Sequence, residues 1–306
     1  MRFQLHLYVI SMLLGFSSVL PAADMIYVSM DNNTIVRYDA SSRVASTIEA
    51  SKTTFINTHL AGTYGLAFSP TGFLFASNFY TNTVSVFNPL GVYNGIRNSY
   101  FNGPIGLAVD SDDVLYVANA ANDTIVQFKS SGVTISSNLR APRGLAIDSS
   151  GNLYASNWGN HTISKFNSSG IFQITIGSSS NLNNPWGLAM DKSGYLYAAN
   201  GGNNTISKFD SAGNYLSVGS ISTNLNNPMG LATDSSGNLY AANTGNNTIS
   251  MYDPSGQFLV SWSTGTSSPL AIAIIPEPSS YALAAISAGL FACSRRHRNL
   301  GQPKIF

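Results

Sequence analysis

Apolar residues along this chain come in short runs that alternate with small or polar residues, and Gly, Asn, Asp and Ser separate the runs. Stretches such as "NLYASN" from Asn152 and "TISKFN" from Thr162 are rich in β-branched and aromatic residues and are bounded by turn formers, the pattern of short strands. The runs themselves recur. Gly-Leu-Ala stands at Gly65, Gly106, Gly144, Gly187 and Gly230, spaced 41, 38, 43 and 43 residues apart. After each comes a turn and a second run: "FLFASN" at Phe73, "VLYVAN" at Val114, "NLYASN" at Asn152, "YLYAAN" at Tyr195 and "NLYAAN" at Asn238. A third run begins at Thr83, Thr124, Thr162, Thr205 and Thr248, and a weaker fourth begins at Val133, Ile171, Tyr215 and Phe258. Four strands in roughly 40 residues make one propeller blade.

The two ends of the repeating region complete the count. "MIYVSM" at Met25 and "TIVRYD" at Thr34 match a second and a third run without a first, and "PLAIAII" from Pro269 matches a first with nothing after it. Joined, they make a sixth blade and remove the open sheet edges that invite aggregation. The predicted fold is an all-β, six-bladed β-propeller with four-stranded blades, its ring closed by a blade shared between N- and C-terminal segments.

Outside this region, 24–275, lie two segments of different composition. Residues 1–23 carry Arg2, an apolar run to about Leu20 and small residues at Ala22 and Ala23, the layout of a secretory signal peptide. Residues 276–306 carry a Pro-Glu-Pro break, a short apolar segment at 281–293 and a basic cluster at 295–298. That segment falls short of the roughly 20 residues a spanning helix needs, and the arginines after it favour the cytoplasmic side. The one cysteine, Cys293, belongs to this tail, so the domain depends on its own core rather than on disulfides. Ten Lys/Arg stand against thirteen Asp/Glu in 24–275, and no basic field exists for a nucleic acid.

Two resemblances follow. The P-x-G-L-A-x-D, G-N-L-Y-x-A-N and G-N-N-T-I-S-x-F-D segments, best preserved from Pro142 to Asp253, resemble the NHL repeat, which implies the same six-bladed propeller. The tail, with Pro276, Glu277, Pro278 and Ser279, then the apolar span, then Arg295, Arg296 and Arg298, resembles the PEP-CTERM sorting signal of exported bacterial proteins. It implies the export machinery and an exosortase-type processing enzyme as partners and a precursor transiently anchored in the membrane. The destination it implies is the cell envelope, cell surface or extracellular matrix.

Candidate chemistry is sparse. Asp110, Asp148, Asp191 and Asp234 occupy one repeat position and lead into turns, where aspartate caps backbone amides. Asn33, Asn82, Asp123, His161, Asn204 and Asn247 share another turn position, and the N-x-T triplets beside them read as turn chemistry too. Asn78, Asn119, Asn157, Asn200 and Asn243 end the second runs and suggest either a polar ring at the channel mouth or structural hydrogen bonds; without carboxylates they are a poor calcium site. Glutamate occurs only as Glu49 and Glu277, and no nucleophile-elbow motif marks a serine. Related propellers that act as lyases or lactonases use metal-holding residue sets, none of which matches here residue by residue. No catalytic residue, metal ligand or cofactor is therefore assigned.

The positions where the repeats disagree are more informative. The residue before Gly-Leu-Ala is Tyr64, Ile105, Arg143, Trp186 or Met229, with Leu270 in the split blade. The loop after the second run lies on the same face and adds Met30, Phe79, Tyr80 and Trp158. Tyr64, Phe79, Arg143, Trp158, Trp186 and Met229 are thus the candidate ligand-binding rim, of residue types enriched in recognition surfaces. The expected function is non-catalytic binding or scaffolding with a protein or glycan ligand; the alternative is a metal-assisted lyase or lactone hydrolase at the channel mouth.

Overall fold

The computed structural model describes residues 25–128, 132–178 and 181–275. The signal peptide expected at 1–23 and the sorting tail expected at 276–306 lie outside the described residues. The strands follow the sequence runs. β1 (Met25–Met30) and β2 (Thr34–Asp39) come first, and β3 (Thr53–Ile56) follows helix α1 (Ala45–Ala50). Five up-and-down sheets succeed them: β4–β7 over residues 66–97, β8–β11 over 104–135, β12–β15 over 142–176, β16–β19 over 185–221 and β20–β23 over 228–263. The last strand, β24 (Pro269–Ile274), returns antiparallel to β1, with Val28 opposite Ile272, in a sheet of order β24-β1-β2-β3. The molecule is an all-β propeller of six four-stranded antiparallel blades, closed by a blade drawn from two distant segments.

The first strand of each blade is innermost, and successive first strands meet around the axis. Crowding there explains the repeated glycine. A Cβ on Gly65 would stand 1.9 Å from the Ile105 carbonyl oxygen, and one on Gly187 would stand 2.2 Å from that of Met229. Just before this glycine the ladder slips: strand partners jump from Pro142 to Leu145 and from Pro185 to Leu188. Such a bulge re-aims the residue inside it. Arg143 and Trp186 occupy these bulges and line the end of the axial channel. The Ser156 hydroxyl, one blade earlier, donates to the Trp186 carbonyl at 2.5 Å and fixes that bulge from the side.

Between blades lies the core, as six clusters, one at each blade boundary. Ile163, Leu188, Leu196 and Phe209 fill one such boundary; Tyr38, Tyr240 and Trp262 fill the boundary beside the closing blade. Each fully buried side chain of this size contributes roughly 1.5–3 kcal/mol, so the ring is held by its boundaries more than by any single blade. Three elements go beyond the predicted runs: α1, β3 and β7 (Tyr93–Arg97). Helix α1 buries Ile48 against the neighbouring blade, and its N-terminus lacks a side-chain cap. Glu49 accepts from the Ser263 N–H at 2.7 Å, and Lys52 Nζ donates to the Thr264 carbonyl at 2.5 Å. Tertiary contacts of this kind, not intrinsic propensity, hold so short a helix.

Candidate functional site

Two sets of equivalent positions stand out in the sequence, and the structure gives them opposite surroundings. Asn78, Asn119, Asn157, Asn200 and Asn243 are buried at the ends of their second strands. The Asn157 Oδ1 accepts from the Arg140 N–H at 3.0 Å, while its Nδ2 donates to Thr162 at 3.2 Å and to Ser164 at 2.9 Å. Asn78, Asn200 and Asn243 repeat this with the N–H groups of Ala61, Asn183 and Asn226 and the hydroxyls of Ser85, Ser207 and Ser250. Asn119 accepts from Asn102 and donates to the Tyr100 carbonyl. None of the five lines the axial cavity or the cup described below. Their polar atoms are engaged inside the blade, tying its entry loop to its second and third strands. That is the structural hydrogen-bond role, and it takes these carboxamides away from a ring at the channel mouth.

The turn residues are equally occupied. Asp148 accepts from the Ser150 and Asn152 N–H groups, from Asn152 Nδ2 and from the Tyr154 hydroxyl. Burial alone would raise its carboxyl; those hydrogen bonds outweigh burial and hold it below its ordinary value. Asn33, Asn82, Asp123, His161, Asn204 and Asn247 all have positive φ, the left-handed turn their position requires. Five of their side chains also reach into the next blade's entry loop. Asn33 accepts from the Gly62 N–H at 2.7 Å, Asn82 from Gly103 at 2.7 Å, Asp123 from Ala141 at 2.5 Å, His161 Nδ1 from Asn184 at 2.9 Å and Asn204 from Asn227 at 2.6 Å. They are clasps between blades, a reach that a turn assignment from sequence does not disclose.

The rim is different. Tyr64, Phe79, Arg143 and Trp186 converge with Ile105, Ala120 and Ala121 around one cavity of about 220 Å³ at the end of the axis. The Tyr64 ring lies 5.7 Å from Phe79 and 6.3 Å from Trp186. Arg143 is the one charged group in this lining. Its Cζ stands 3.8 Å from the centroid of Trp186 and 4.8 Å from that of Trp158, so two indoles pack against the guanidinium. Burial pushes Arg143 down to about 10, with Tyr64 acting the other way, and it stays charged at neutral pH. Its Nε is buried without a hydrogen-bond partner. Burial and the neighbouring Tyr80 hydroxyl raise the Tyr64 phenol, against the pull of Arg143.

Of the six rim candidates, Trp158 is 38% exposed and adjoins the cup through Arg143. Met229 does not join it: it is 6% exposed and lines the narrow axial cavity of about 50 Å³ together with Leu270. Tyr80, 70% exposed, stands at the outer lip against Phe79. Ala120 and Ala121 form part of the wall because they are small where the blade before has Phe79 and Tyr80 and the blade after has Trp158 and Gly159. Among the described residues, no three His, Cys, Asp or Glu side chains gather where they could hold a metal ion.

Comparison with known proteins agrees with this architecture. Residues 139–166 match the NHL repeat model. That match spans one NHL-like unit, from the entry loop before Pro142 to the third strand of its blade. Among curated proteins, none matches the chain by sequence. Among solved structures, a chain of a nidogen/laminin complex is similar over 83% of this chain and 98% of its own, at 18% identity and a TM-score of 0.72. A virginiamycin B lyase from Staphylococcus aureus is similar over 67% of this chain and 70% of its own, at 16% identity and a TM-score of 0.56. A protein of unknown function from Bacteroides caccae is similar over 83% and 99%, at 13% identity and a TM-score of 0.61. At these identities the likeness is one of fold.

Proposed function

We propose that this NHL-like propeller is an exported binding or scaffold protein whose ligand face is the cup at the end of its axis. One observation carries the reading: Tyr64, Phe79, Arg143 and Trp186, from four different loops or bulges, converge on one open cavity and leave a buried guanidinium nitrogen without a partner. Aromatic and arginine side chains at the centre of a concave surface are the usual anchors of recognition. The fold itself serves both binding, as in a nidogen/laminin complex, and catalysis, as in virginiamycin B lyase. The cup's own lining favours the first, since it holds no carboxylate, imidazole or thiol to act as base, nucleophile or metal ligand.

Export rests on the two terminal segments. The signal peptide at 1–23 sends the chain out through the export machinery, and the tail at 276–306 holds the precursor at the membrane until an exosortase-type enzyme removes it. The mature propeller then acts in the envelope, at the surface or in the matrix. The test is retention of the protein by the envelope fraction of its source cells, compared between wild type and Trp158→Ala with Trp186→Ala. A drop of roughly tenfold in retention is expected; unchanged retention by a folded double variant sinks the cup as the ligand face.

A further inference from the structure

The cup carries information about its ligand as well as its place. Two other ring-packed cations have polar partners: Arg37 Nε donates to Thr53 Oγ1 at 3.0 Å, and Lys208, although buried, reaches the Pro254 carbonyl at 3.5 Å while lying over Tyr195. Arg143 packs against two indoles, its Nε has no hydrogen-bond partner, and no carboxylate lines its cavity. Ring packing leaves the in-plane N–H groups of a guanidinium available, and that fork matches a carboxylate edge in two parallel hydrogen bonds. One positive charge in an otherwise neutral lining suits a monoanion; a phosphate ester would bring a second charge with nothing to meet it. The walls are Phe79, Ile105, Ala120, Ala121 and Trp186, and the polar side-chain groups of the lining besides Arg143 are the Tyr64 hydroxyl and the Trp186 indole N–H. A sugar ring buried there would lose water from several hydroxyls and find few partners, a penalty for each one.

Resting on the reading of the cup as the ligand face, we propose that it binds a small organic monoanion, a carboxylate carried on a compact apolar body. The carboxylate meets the edge of Arg143 beside the Tyr64 hydroxyl, and the body lies against Trp186, Phe79 and Ile105. The Arg143 charge is then the vacant half of an ion pair that the ligand completes.

The experiment titrates the full-length protein with phenylacetate, following tryptophan fluorescence, since Trp158 and Trp186 flank the guanidinium. Phenylacetate is expected to give a saturable change, the neutral phenylacetamide to bind at least about tenfold more weakly, and glucuronate and phenyl phosphate to bind more weakly still. Arg143→Met keeps the unbranched apolar stem of the side chain and removes its charge. It is expected to abolish the phenylacetate response while its melting temperature equals or exceeds that of wild type, which separates lost binding from lost folding. Equal binding of the amide, a preference for glucuronate or phenyl phosphate, a retained response in Arg143→Met, or no response to phenylacetate overturns the proposal. If phenylacetate fails while the tryptophan variants still lose envelope retention, the ligand class is wrong and the cup remains the binding face. If retention is also unchanged, both readings fall.

Discussion

The asparagines that end five of the second strands and the residues that stand before Gly-Leu-Ala or its counterpart recur at equivalent points from blade to blade, yet they are built to opposite rules. The first set is nearly invariant in sequence and saturated with hydrogen bonds: Asn157 alone holds an entry-loop N–H and two hydroxyls of the next strand. The second changes from Tyr64 to Ile105, Arg143, Trp186, Met229 and Leu270, and includes a guanidinium nitrogen with no partner at all. A repeat protein preserves whatever every unit needs in order to stand, and it varies what only the assembled ring can use. Even within the varied set there is a division. Tyr64, Arg143 and Trp186 open into the cup, whereas Met229 and Leu270 are buried along the axis and close the other side of the same mouth.

The sharpest way to break this contrast is at the crowded axis. Gly187→Ala would drive a Cβ into the Met229 carbonyl at 2.2 Å, so the inner strands must part. A loss of about 3 kcal/mol or more is expected, with a fall of the order of 10 °C in melting temperature by calorimetry, and the cup should be distorted with it. Next comes Asn157→Ala, which removes the acceptor of the Arg140 N–H and the donor to the buried Ser164 hydroxyl. It should cost roughly 2–3 kcal/mol in urea unfolding while leaving ligand binding by folded protein intact. Arg143→Met inverts that outcome: binding goes, while stability is unchanged or rises by about 1 kcal/mol or less.

A smaller effect is expected in acid. The carboxyls of Asp148, Asp210 and Asp253 sit below their ordinary values, the last two through hydrogen bonds led by Asn214 and Ser255 respectively. Because the folded chain holds these protons less tightly than the unfolded one, their contribution is complete above about pH 4 and drains away as pH falls through the lowered folded values. Asp148→Asn should therefore flatten the acid limb of a stability–pH curve; an unchanged limb would remove Asp148 from the explanation. The mildest change is His161→Asn, which restores the residue found in most other clasps and should shift stability by about 0.5 kcal/mol or less. A larger loss would mean that the bond from the Asn184 N–H to His161 is worth more than its counterparts.

Why the architecture was legible, and the site only partly so, follows from what a period can encode. Forty-residue recurrence in Gly-Leu-Ala and in the runs at Leu153 and Thr162 specifies strands, their order and the split blade. β7 escapes because "YNGIR" places Asn94 and Gly95 within an edge strand that packs little, and α1 escapes because its hold on Ser263 and Thr264 comes from the far end of the domain. Equivalence in sequence also places Tyr64, Phe79, Arg143, Trp158 and Trp186 on one face. It cannot say which way a bulge turns a side chain, and so Met229 looks like its neighbours until the ring is assembled. For the asparagines the difficulty is reversed: position near the axis is visible, but the partners that consume each carboxamide lie in the preceding loop and the following strand.

The pairing of β24 with β1 has a consequence in time as well as in space. The Ala271 N–H bonds to the Ser29 hydroxyl across 242 positions of sequence, so the first strands of the propeller must wait, one edge bare, for its last. Meeting at such separation carries the loop-closure cost of almost the whole domain, and it cannot begin until nearly all of the propeller has been made. Neighbouring blades can pack together early, but the circle closes in one late event. A circular permutant that joins the two ends of the shared blade and opens the chain between two others would move that wait to a different seam, and its refolding rate would show how much of the folding time the present seam consumes.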